Sequence, residues 1–487
     1  MKQYTVTFLP EGASIRVDPG TTLLQAQIAA GLHPDAPCGG KGTCGKCRVE
    51  VGGKSLLACQ TQVEGDVTVI LPKHQGAEIL TTGREGTMEA DSTNAYTAAF
   101  DIGTTTLVGF LLDGTTGTCL ATTSAMNPQI PYGADVIARI QAVTEEHKDL
   151  QACILPVLGD MLETLADKAG ISREDITLVT LVGNTAMHHL LLGIDPSPLV
   201  VPPYMPETTQ ALELPAENLL PISPAGTVRI LPNIAGFVGA DTVGCLVAAQ
   251  FGTLSDLTLM IDIGTNGEMV LGNKARRIAC STAAGPAFEG AKISRGMRGC
   301  PGAIDHVRLE NGQICCHVIG ETEAVGLCGS GLLDLVACLL DAGILDESGY
   351  LPGKAYTIPG TTVTLTQGDV REVQLAKAAI RAGIELMCEH LGVPPGDIQQ
   401  VLLAGAFGNY MNPASACRIG MIPRELLQRI VPIGNAAGEG AKACALSRAK
   451  FEESKKLASQ TEFLELASKP EFQDRFVDAL EFEEEAE

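Results

Sequence analysis

Four cysteines near the amino end have the spacing of a metal centre. Cys38, Cys44, Cys47 and Cys59 form the pattern C-x5-C-x2-C-x11-C, and glycines separate the first three of them. Four thiolates around two irons require a loop that curls tightly, and glycine permits such a backbone. The alternative is a structural zinc site, which more often uses two C-x2-C pairs. Because only one such pair is present, the pattern favours a 2Fe-2S cluster over zinc.

Two carboxylate-led turns have the residue types needed to bind phosphate. Asp101 begins the segment Asp-Ile-Gly-Thr-Thr-Thr, Asp262 begins Asp-Ile-Gly-Thr-Asn-Gly-Glu, and each follows a short apolar run. The glycine allows a tight hairpin whose backbone N–H groups point at phosphate oxygens. One copy could be an ordinary β-turn, but two copies in separate halves could clamp a nucleotide from both sides. The residues predicted to face the phosphates are Gly103, Thr104, Thr105, Thr106, Gly264, Thr265 and Asn266.

The cysteine cluster lies in a small β-rich unit, residues 1–72. Alternating apolar residues predict strands at Tyr4–Phe8 and Ser14–Val17, and Thr21 or Thr22 is the expected cap of a helix that follows. Short strands are predicted after the cluster, near residues 48–51 and 67–71. This strand–strand–helix order suits a β-grasp ferredoxin.

The repeated turns lie in a longer α/β stretch. Residues 73–95 are polar and rich in glycine and threonine, which indicates a linker. Apolar strand-type runs then alternate with helical runs, and the repeat divides them into residues 96–257 and 258–449. Residues 450–487 form a C-terminal extension, and we expect its terminal acidic tail to fray.

Composition restricts the partners. The net charge of −23 argues against non-specific nucleic-acid binding and against an anionic membrane surface. The amino end has no secretory pattern, and no apolar run approaches the ~18 residues that cross a bilayer. We therefore expect a cytoplasmic protein with reduced thiols. Most of the cysteines outside residues 38–59 are then expected to be small buried side chains.

These motifs resemble known families. The cysteine segment resembles plant-type 2Fe-2S ferredoxins, although the first gap is one residue longer than their C-x4-C. The two turns resemble the phosphate-1 and phosphate-2 loops of the acetate and sugar kinase/Hsp70/actin (ASKHA) superfamily. The combination, together with segments 182–189 and 233–241, is similar to the reductive activators of corrinoid proteins. We see no separate domain between linker and core, which some members of that family carry.

The resemblance implies an α/β multidomain fold: an N-terminal β-grasp 2Fe-2S ferredoxin-like domain and a duplicated actin-like ATPase core. It also implies a third element that grips adenosine, which segment 401–409 fits through Gly405 and Gly408. Gly285, in segment 283–290, is expected to line the same pocket. Asp101 and Asp262 would hold Mg2+ through water, since Mg2+ keeps most of its waters.

Further residues have two interpretations each. Asp241 ends a glycine-rich turn and could orient the attacking water, or it could be the N-cap of a helix over residues 242–249. Glu268 could approach the metal, or it could be a solvated hairpin side chain. His188 and His189 are expected to follow a turn into a helix, where one packs and the other faces solvent.

The function implied by the resemblance is ATP-dependent reductive activation. The expected cofactors are a 2Fe-2S cluster, ATP and Mg2+. A cellular donor would supply one electron, and the protein would reduce a Co(II) corrinoid protein of a methyltransferase system to Co(I). The resemblance also admits a homodimer. The alternatives are an activator of another low-potential enzyme, a small-molecule kinase with a ferredoxin sensor, and a non-catalytic redox-sensing scaffold.

Overall fold

The computed structural model describes residues 3–32, 34, 36, 40, 42, 46–71, 90–91, 95–133, 135–466 and 468–483. Most of the predicted linker lies outside these ranges, as do Cys38 and Cys44. Where the chain is described again, Asp91 accepts hydrogen bonds from Ser447 Oγ at 2.6 Å and from the Arg448 amide at 2.8 Å. The end of the predicted linker is therefore fastened to the core.

The amino-terminal unit is a mixed sheet covered by one helix. Its strands lie in the order β2-β1-β5-β3-β4, with β1 parallel to β5. Thr22 caps the helix through a capping box with Gln25, which confirms one of the two predicted caps. The prediction omitted β4. The elements are β1 Tyr4–Leu9, β2 Ala13–Val17, α1 Leu23–Ala29, β3 Arg48–Val51, β4 Lys54–Leu57 and β5 Val67–Ile70.

The first half of the core is a second mixed sheet with helices packed on it. Its strand order is β10-β11-β9-β6-β7-β8. The elements are β6 Tyr96–Ile102, β7 Thr106–Asp113, β8 Cys119–Met126, α2 Val136–Thr144, α3 Leu150–Ala169, β9 Ile176–Gly183, α4 Thr185–Leu192, β10 Leu212–Pro215, β11 Thr227–Ile230 and α5 Ala240–Ala248.

The second half begins on a third sheet, of order β21-β20-β12-β13-β14-β22. Its elements are β12 Thr258–Ile263, β13 Gly267–Gly272, β14 Arg277–Thr282, β15 Ala303–Glu310, β16 Gln313–Val318, β17 Gly326–Leu327, α6 Gly329–Asp341, β18 Ala355–Thr357, β19 Thr364–Thr366, α7 Gln367–Leu391, β20 Gln400–Ala404, α8 Gly405–Tyr410, α9 Pro413–Arg418, β21 Ile430–Gly434, α10 Ala436–Leu446, α11 Arg448–Ser459, β22 Thr461–Phe463 and α12 Pro470–Asp478.

The two core sheets repeat one topology. In the first, β6 pairs antiparallel with β7 and parallel with β9, which is parallel to β11. In the second, β12 pairs antiparallel with β13 and parallel with β20, which is parallel to β21. Each half therefore opens on a strand and hairpin, as the repeated sequence predicts.

Helices α5 and α10 join the two halves where they cross. A Cβ on Gly440 would lie 2.0 Å from the carbonyl oxygen of Gly244, so a larger side chain cannot occupy this position. Residues from both halves, among them Val243, Leu402 and Ala441, share one buried cluster around the crossing. The halves therefore meet through backbone contact as well as through apolar burial.

The carboxyl end is docked rather than frayed as far as residue 483. Glu483 forms ion pairs with Arg381 at 2.8 Å and Arg424 at 3.0 Å, and Lys377 donates to the Glu481 carbonyl. The expectation of a frayed acidic tail is therefore wrong for residues 481–483, and residues 484–487 lie outside the described ranges. Within those ranges, no helix is both long and apolar enough to cross a membrane.

Candidate functional site

The two predicted phosphate turns close the first hairpin of each half. Gly103 donates its N–H to the Thr106 carbonyl at 2.9 Å, and Gly264 donates to the Asn266 carbonyl at 2.9 Å. A Cβ on Gly103 would lie 2.7 Å from the Thr106 carbonyl oxygen, so only glycine fits the first turn. Both turns therefore close a hairpin through the N–H of their glycine, but the first spans four residues between its paired strands and the second spans three.

Three predicted catalytic carboxylates lie close enough to interact. Burial raises the pKa of Asp101 to about 7, and repulsion from Asp241 and Asp262 contributes. Burial, followed by repulsion from Asp241, raises the pKa of Asp262 to about 7. Burial alone raises the pKa of Asp241 to about 6, against opposing hydrogen bonds. Concentrated negative charge of this kind is what a divalent cation would neutralise.

Two alternative interpretations of the acidic residues are wrong. Gly239, not Asp241, is the N-cap of α5, and Asp241 lies in the first turn with its carboxylate accepting from the Thr242 amide at 2.7 Å. Glu268 is directly opposite Asp262 in the β12–β13 ladder and accepts from Ser281 Oγ at 3.1 Å. Burial first, then repulsion from Asp241 and Asp262, raises the pKa of Glu268 well above its ordinary value. Glu268 therefore belongs to the acidic cluster, not to the solvated surface.

The acidic cluster suits a cation that takes only one or two protein carboxylates. Among the described residues, no group of three histidine, cysteine, aspartate or glutamate side chains could hold a metal ion by direct ligation. Mg2+ often keeps several waters and takes only one or two carboxylates, with substrate phosphates completing its shell. The carboxylates of Asp101 and Asp262 are compatible with that mode.

We expect the nucleotide-free protein to lose stability as the pH rises from about 4 to about 7. In this window the raised pKa of Asp101 means that the folded state binds more protons than the unfolded state, so the free energy of unfolding falls with pH. Thermal unfolding of wild type and Asp101→Asn at pH 5 and pH 7.5 measures the effect. The variant should lose less stability across the interval, and equal losses would contradict the assignment.

Glu289 links the two phosphate turns. Its carboxylate accepts from Thr265 Oγ1 at 3.1 and 3.2 Å and from Thr105 Oγ1 at 3.5 Å. Burial raises its pKa, while the threonine hydroxyls and the cations Arg298 and Arg139 oppose the rise. Sequence reasoning placed segment 283–290 near the pocket but missed this role. The feature of the sequence that could have indicated this role is that Glu289 follows the Gly-Pro pair at residues 285–286.

Three polar side chains from outside the hairpin donate hydrogen bonds to the first turn. Asn184, the N-cap of α4, donates to Thr104 Oγ1 at 3.0 Å, and Asn127 donates to the Gly103 carbonyl at 2.8 Å. Arg139 is fully buried and donates to the Thr104 carbonyl. These three contacts were not predicted, because each of the residues is distant in sequence from the turn. They fix the turn before any ligand binds.

The predicted adenosine element lies against the second turn. Strand β20 is parallel to β12, with Ala404 beside Asp262, and Gly405 follows with φ +80°. Gly408, in α8, is buried, and a Cβ there would lie 3.2 Å from the Cβ of Leu403 in β20. Gly285 (φ +77°) precedes the 3₁₀ turn Pro286–Glu289, and the position of its absent Cβ is open space. The structure thus brings Gly405 directly to Asp262, with Gly408 one turn further along α8.

Substituting Gly405 by alanine should impair nucleotide turnover. A Cβ there would lie 2.5 Å from Asp262 Oδ1 in a backbone conformation that favours glycine. Displacing a positioning carboxylate by about 1 Å can cost on the order of 10²-fold in rate. Steady-state ATPase assays check this, with Gly396→Ala as control, because the Cβ added at Gly396 meets nothing within 4 Å. Equal rates for both variants would contradict the prediction.

Both histidines of α4 are buried, so the expectation that one faces solvent is wrong. His188 Nδ1 lies 2.7 Å from Asn233 Nδ2, and His189 Nδ1 lies 2.7 Å from the Thr185 carbonyl. Burial, with a smaller effect of His189, lowers the pKa of His188 to about 4. Helix α4 is covered on nearly all sides, and neutral imidazoles fit that position.

The described half of the cysteine cluster is brought together by a hairpin. Cys47 precedes β3 and Cys59 follows β4, and the Ala58 amide donates to the Cys47 carbonyl at 2.7 Å. Both side chains are buried in the core of the amino-terminal unit. A Cβ on Gly40 would lie 3.8 Å from the Cys59 Cβ, so Gly40, two residues after Cys38, lies near Cys59. These features fit a cluster site, while Cys38 and Cys44 lie outside the described residues.

Three family models match the chain. The model described as "2Fe-2S iron-sulfur cluster binding domain" matches residues 6–67, and the one described as "RACo middle region" matches residues 96–253. The model described as "C-terminal domain of RACo the ASKHA domain" matches residues 256–487. The middle region thus coincides with the stretch that the sequence assigns to the first half of the core.

Individual relatives agree with these matches. The corrinoid activation enzyme RamQ of Eubacterium limosum is 38% identical over 414 residues, which cover 78% of this chain and 69% of that protein. The Co(II) methylated amine-specific corrinoid protein reductase of Methanosarcina barkeri is 31% identical over 46% of each chain. The solved structure of a reductive activator for a corrinoid, iron-sulfur protein covers 98% of both chains, with a TM-score of 0.72 and 28% identity.

The fold and the facing turns define a class: a 2Fe-2S ferredoxin domain joined to a nucleotide-binding ASKHA core. This confirms the predicted fold class. Within that class, the chain belongs to the RACo family of reductive activators of corrinoid proteins.

Proposed function

We propose that this protein uses ATP hydrolysis to drive one electron from its 2Fe-2S cluster to a Co(II) corrinoid protein, which becomes Co(I). A cellular reductant then restores the reduced cluster. Each 100 mV of uphill one-electron transfer costs about 2.3 kcal/mol, which is a reason to join an ATPase to a ferredoxin. The observation that carries the proposal is the contact of Glu289 with both phosphate turns, in a chain that also buries Cys47 and Cys59.

The residues of the core have separate roles in binding and hydrolysing the nucleotide. Asp101 and Asp262 hold Mg2+ through water, and the two turns direct N–H and hydroxyl groups at the phosphates. Asp241, whose charge interacts with those of both carboxylates, orients the attacking water. Gly405 and Gly408 let the backbone lie against adenosine. Closing of the halves about the α5–α10 crossing couples the nucleotide state to partner affinity.

The residues of the amino-terminal unit hold and shield the cluster. When bound, the cluster supplies one electron at a time. Cys38, Cys44, Cys47 and Cys59 are its proposed ligands, and the half-buried Lys46 and the exposed Arg48 flank Cys47. We place the protein in the cytoplasm, because reduced thiols are maintained there. A homodimer is compatible with this arrangement.

The test is ATP hydrolysis by the reconstituted protein with and without a Co(II) corrinoid protein. Stimulation by the corrinoid protein, with ADP and phosphate as the products, is expected. A phosphorylated small molecule would favour a kinase instead, and stimulation by a radical dehydratase would favour a different low-potential target. Nucleotide binding with negligible turnover under all conditions would contradict the proposal.

A further inference from the structure

A single 3₁₀ turn, Pro286–Glu289 with the following Gly290, contacts both phosphate turns, α8 and the residue before Cys47. The Glu289 carboxylate accepts hydrogen bonds from Thr105 and Thr265, one in each phosphate turn. Phe288 stacks on Phe407 of α8, with ring centroids 4.6 Å apart and planes 9° apart. The Gly290 carbonyl accepts a hydrogen bond from Lys46 Nζ at 2.8 Å. Lys46 immediately precedes Cys47, so the turn reaches from the nucleotide loops to the cluster loop.

The turn can transmit a displacement because its backbone is closely packed. Gly290 adopts φ +75°, and a Cβ there would lie 2.7 Å from the Met297 amide nitrogen. A Cβ on Gly296 would lie 2.2 Å from the Gly290 carbonyl oxygen. The Gly290 amide also donates to the Ala287 carbonyl at 3.0 Å. Because Gly290 follows Glu289 directly and its backbone touches Gly296 and Met297, we infer that a shift of the Glu289 backbone moves the Gly290 carbonyl as well.

The position of Glu289 conflicts with a bound triphosphate. Its carboxylate uses the hydroxyls of Thr105 and Thr265, two of the groups predicted to face phosphate oxygens. Arg298 and Arg139 attract this carboxylate, and they would attract phosphate equally. A nucleotide therefore competes with Glu289 for the same donors and repels it by like charge.

We propose that Glu289, Gly290 and Lys46 form a latch that holds the segment beginning at Lys46 on the core until a nucleoside triphosphate displaces the Glu289 carboxylate. The displaced turn withdraws the Gly290 carbonyl from Lys46 and frees the ferredoxin domain to reach an electron acceptor. ATP binding, rather than hydrolysis, then opens the path for the electron. This inference rests on the proposed function, but it concerns the order of events inside this chain.

The full chain with a reconstituted cluster tests the latch. Hydrogen exchange of residues 46–57, and the rate at which cytochrome c oxidises the reduced cluster, are measured with and without Mg2+ and the non-hydrolysable analogue AMP-PNP. In wild type, AMP-PNP should raise both on the order of tenfold, since one hydrogen bond to a charged group is lost. Lys46→Met should give the raised values without nucleotide and respond no further.

Three variants serve as controls. Lys46→Arg keeps a charged donor and should restore the wild-type response. Lys54→Met removes an exposed lysine from the same domain and should behave as wild type. Glu289→Gln keeps the size of the side chain but not the charge that the phosphates repel. It should therefore bind AMP-PNP with little rise in hydrogen exchange or in the rate of cluster oxidation.

The outcomes separate the latch from the proposed function. If Lys46→Met matches wild type without nucleotide, or if AMP-PNP slows exchange in wild type, the latch is overturned even where corrinoid reduction proceeds. If the latch responds as expected but no corrinoid protein is reduced, the proposed function fails and the latch stands.

Discussion

Asp262→Asn should lower ATP hydrolysis on the order of 10²- to 10³-fold, the usual cost of removing a preorganised electrostatic group. The substitution removes a negative charge next to Asp241 while keeping the shape of a side chain that packs over Gly405. The absorption spectrum of the cluster should be unchanged, since Asp262 lies in the second half of the core. Steady-state phosphate release measures the rate.

The matched control for this substitution is Asp256→Asn. Asp256 is exposed and lies two residues before the same strand, β12, so the change of charge is equal but remote from the acidic cluster. Its rate should stay at the wild-type level. Comparable ATPase activity in Asp262→Asn and Asp256→Asn would exclude Asp262 from the catalytic group.

Cys59→Ser should abolish the 2Fe-2S chromophore and electron transfer, while basal ATP hydrolysis persists. Cys59 is buried beside Cys47 in the amino-terminal core, and a serine hydroxyl is a poor substitute for a thiolate ligand of iron. The core carries its own sheets and buried clusters, so it should retain nucleotide turnover. Visible absorption and iron content measure the cluster, reduction of cytochrome c measures electron transfer, and phosphate release measures ATP hydrolysis.

Cys119→Ser controls for loss of a thiol in general, because Cys119 is exposed on β8 of the core. It should retain the chromophore and both activities. A Cys59→Ser protein that keeps a full complement of two irons and transfers electrons would contradict the assignment of this ligand.

Local patterns predicted the hairpins because the residues that determine each turn lie within the motif itself. Gly103 and Gly264 close the turns, and the apolar runs before Asp101 and Asp262 become the central strands β6 and β12. The capping box of Thr22 with Gln25 likewise lies within four residues. Features that depend on adjacent residues can be read from a sequence, since tertiary packing is not needed to define them.

Roles that depend on distant packing were missed. Glu289 is separated from Thr105 by 184 residues, and Arg139 from Thr104 by 35. Of the two interpretations of Glu268, the solvated hairpin side chain was wrong, because its strand lies inside the sheet, opposite Asp262. One of His188 and His189 was expected to face solvent, but both are buried because α4 is covered on nearly all sides. Each error follows from the tertiary environment, which local periodicity does not encode.

The central claim is that the cluster reduces a Co(II) corrinoid protein to Co(I) only when the core hydrolyses ATP. The direct measurement is the anaerobic absorption of a Co(II) corrinoid protein mixed with the pre-reduced chain, with ATP and Mg2+, with ADP, and without nucleotide. The account predicts that Co(I) accumulates with ATP and that phosphate is released alongside it. Equal rates and yields of Co(I) in all three mixtures would contradict it.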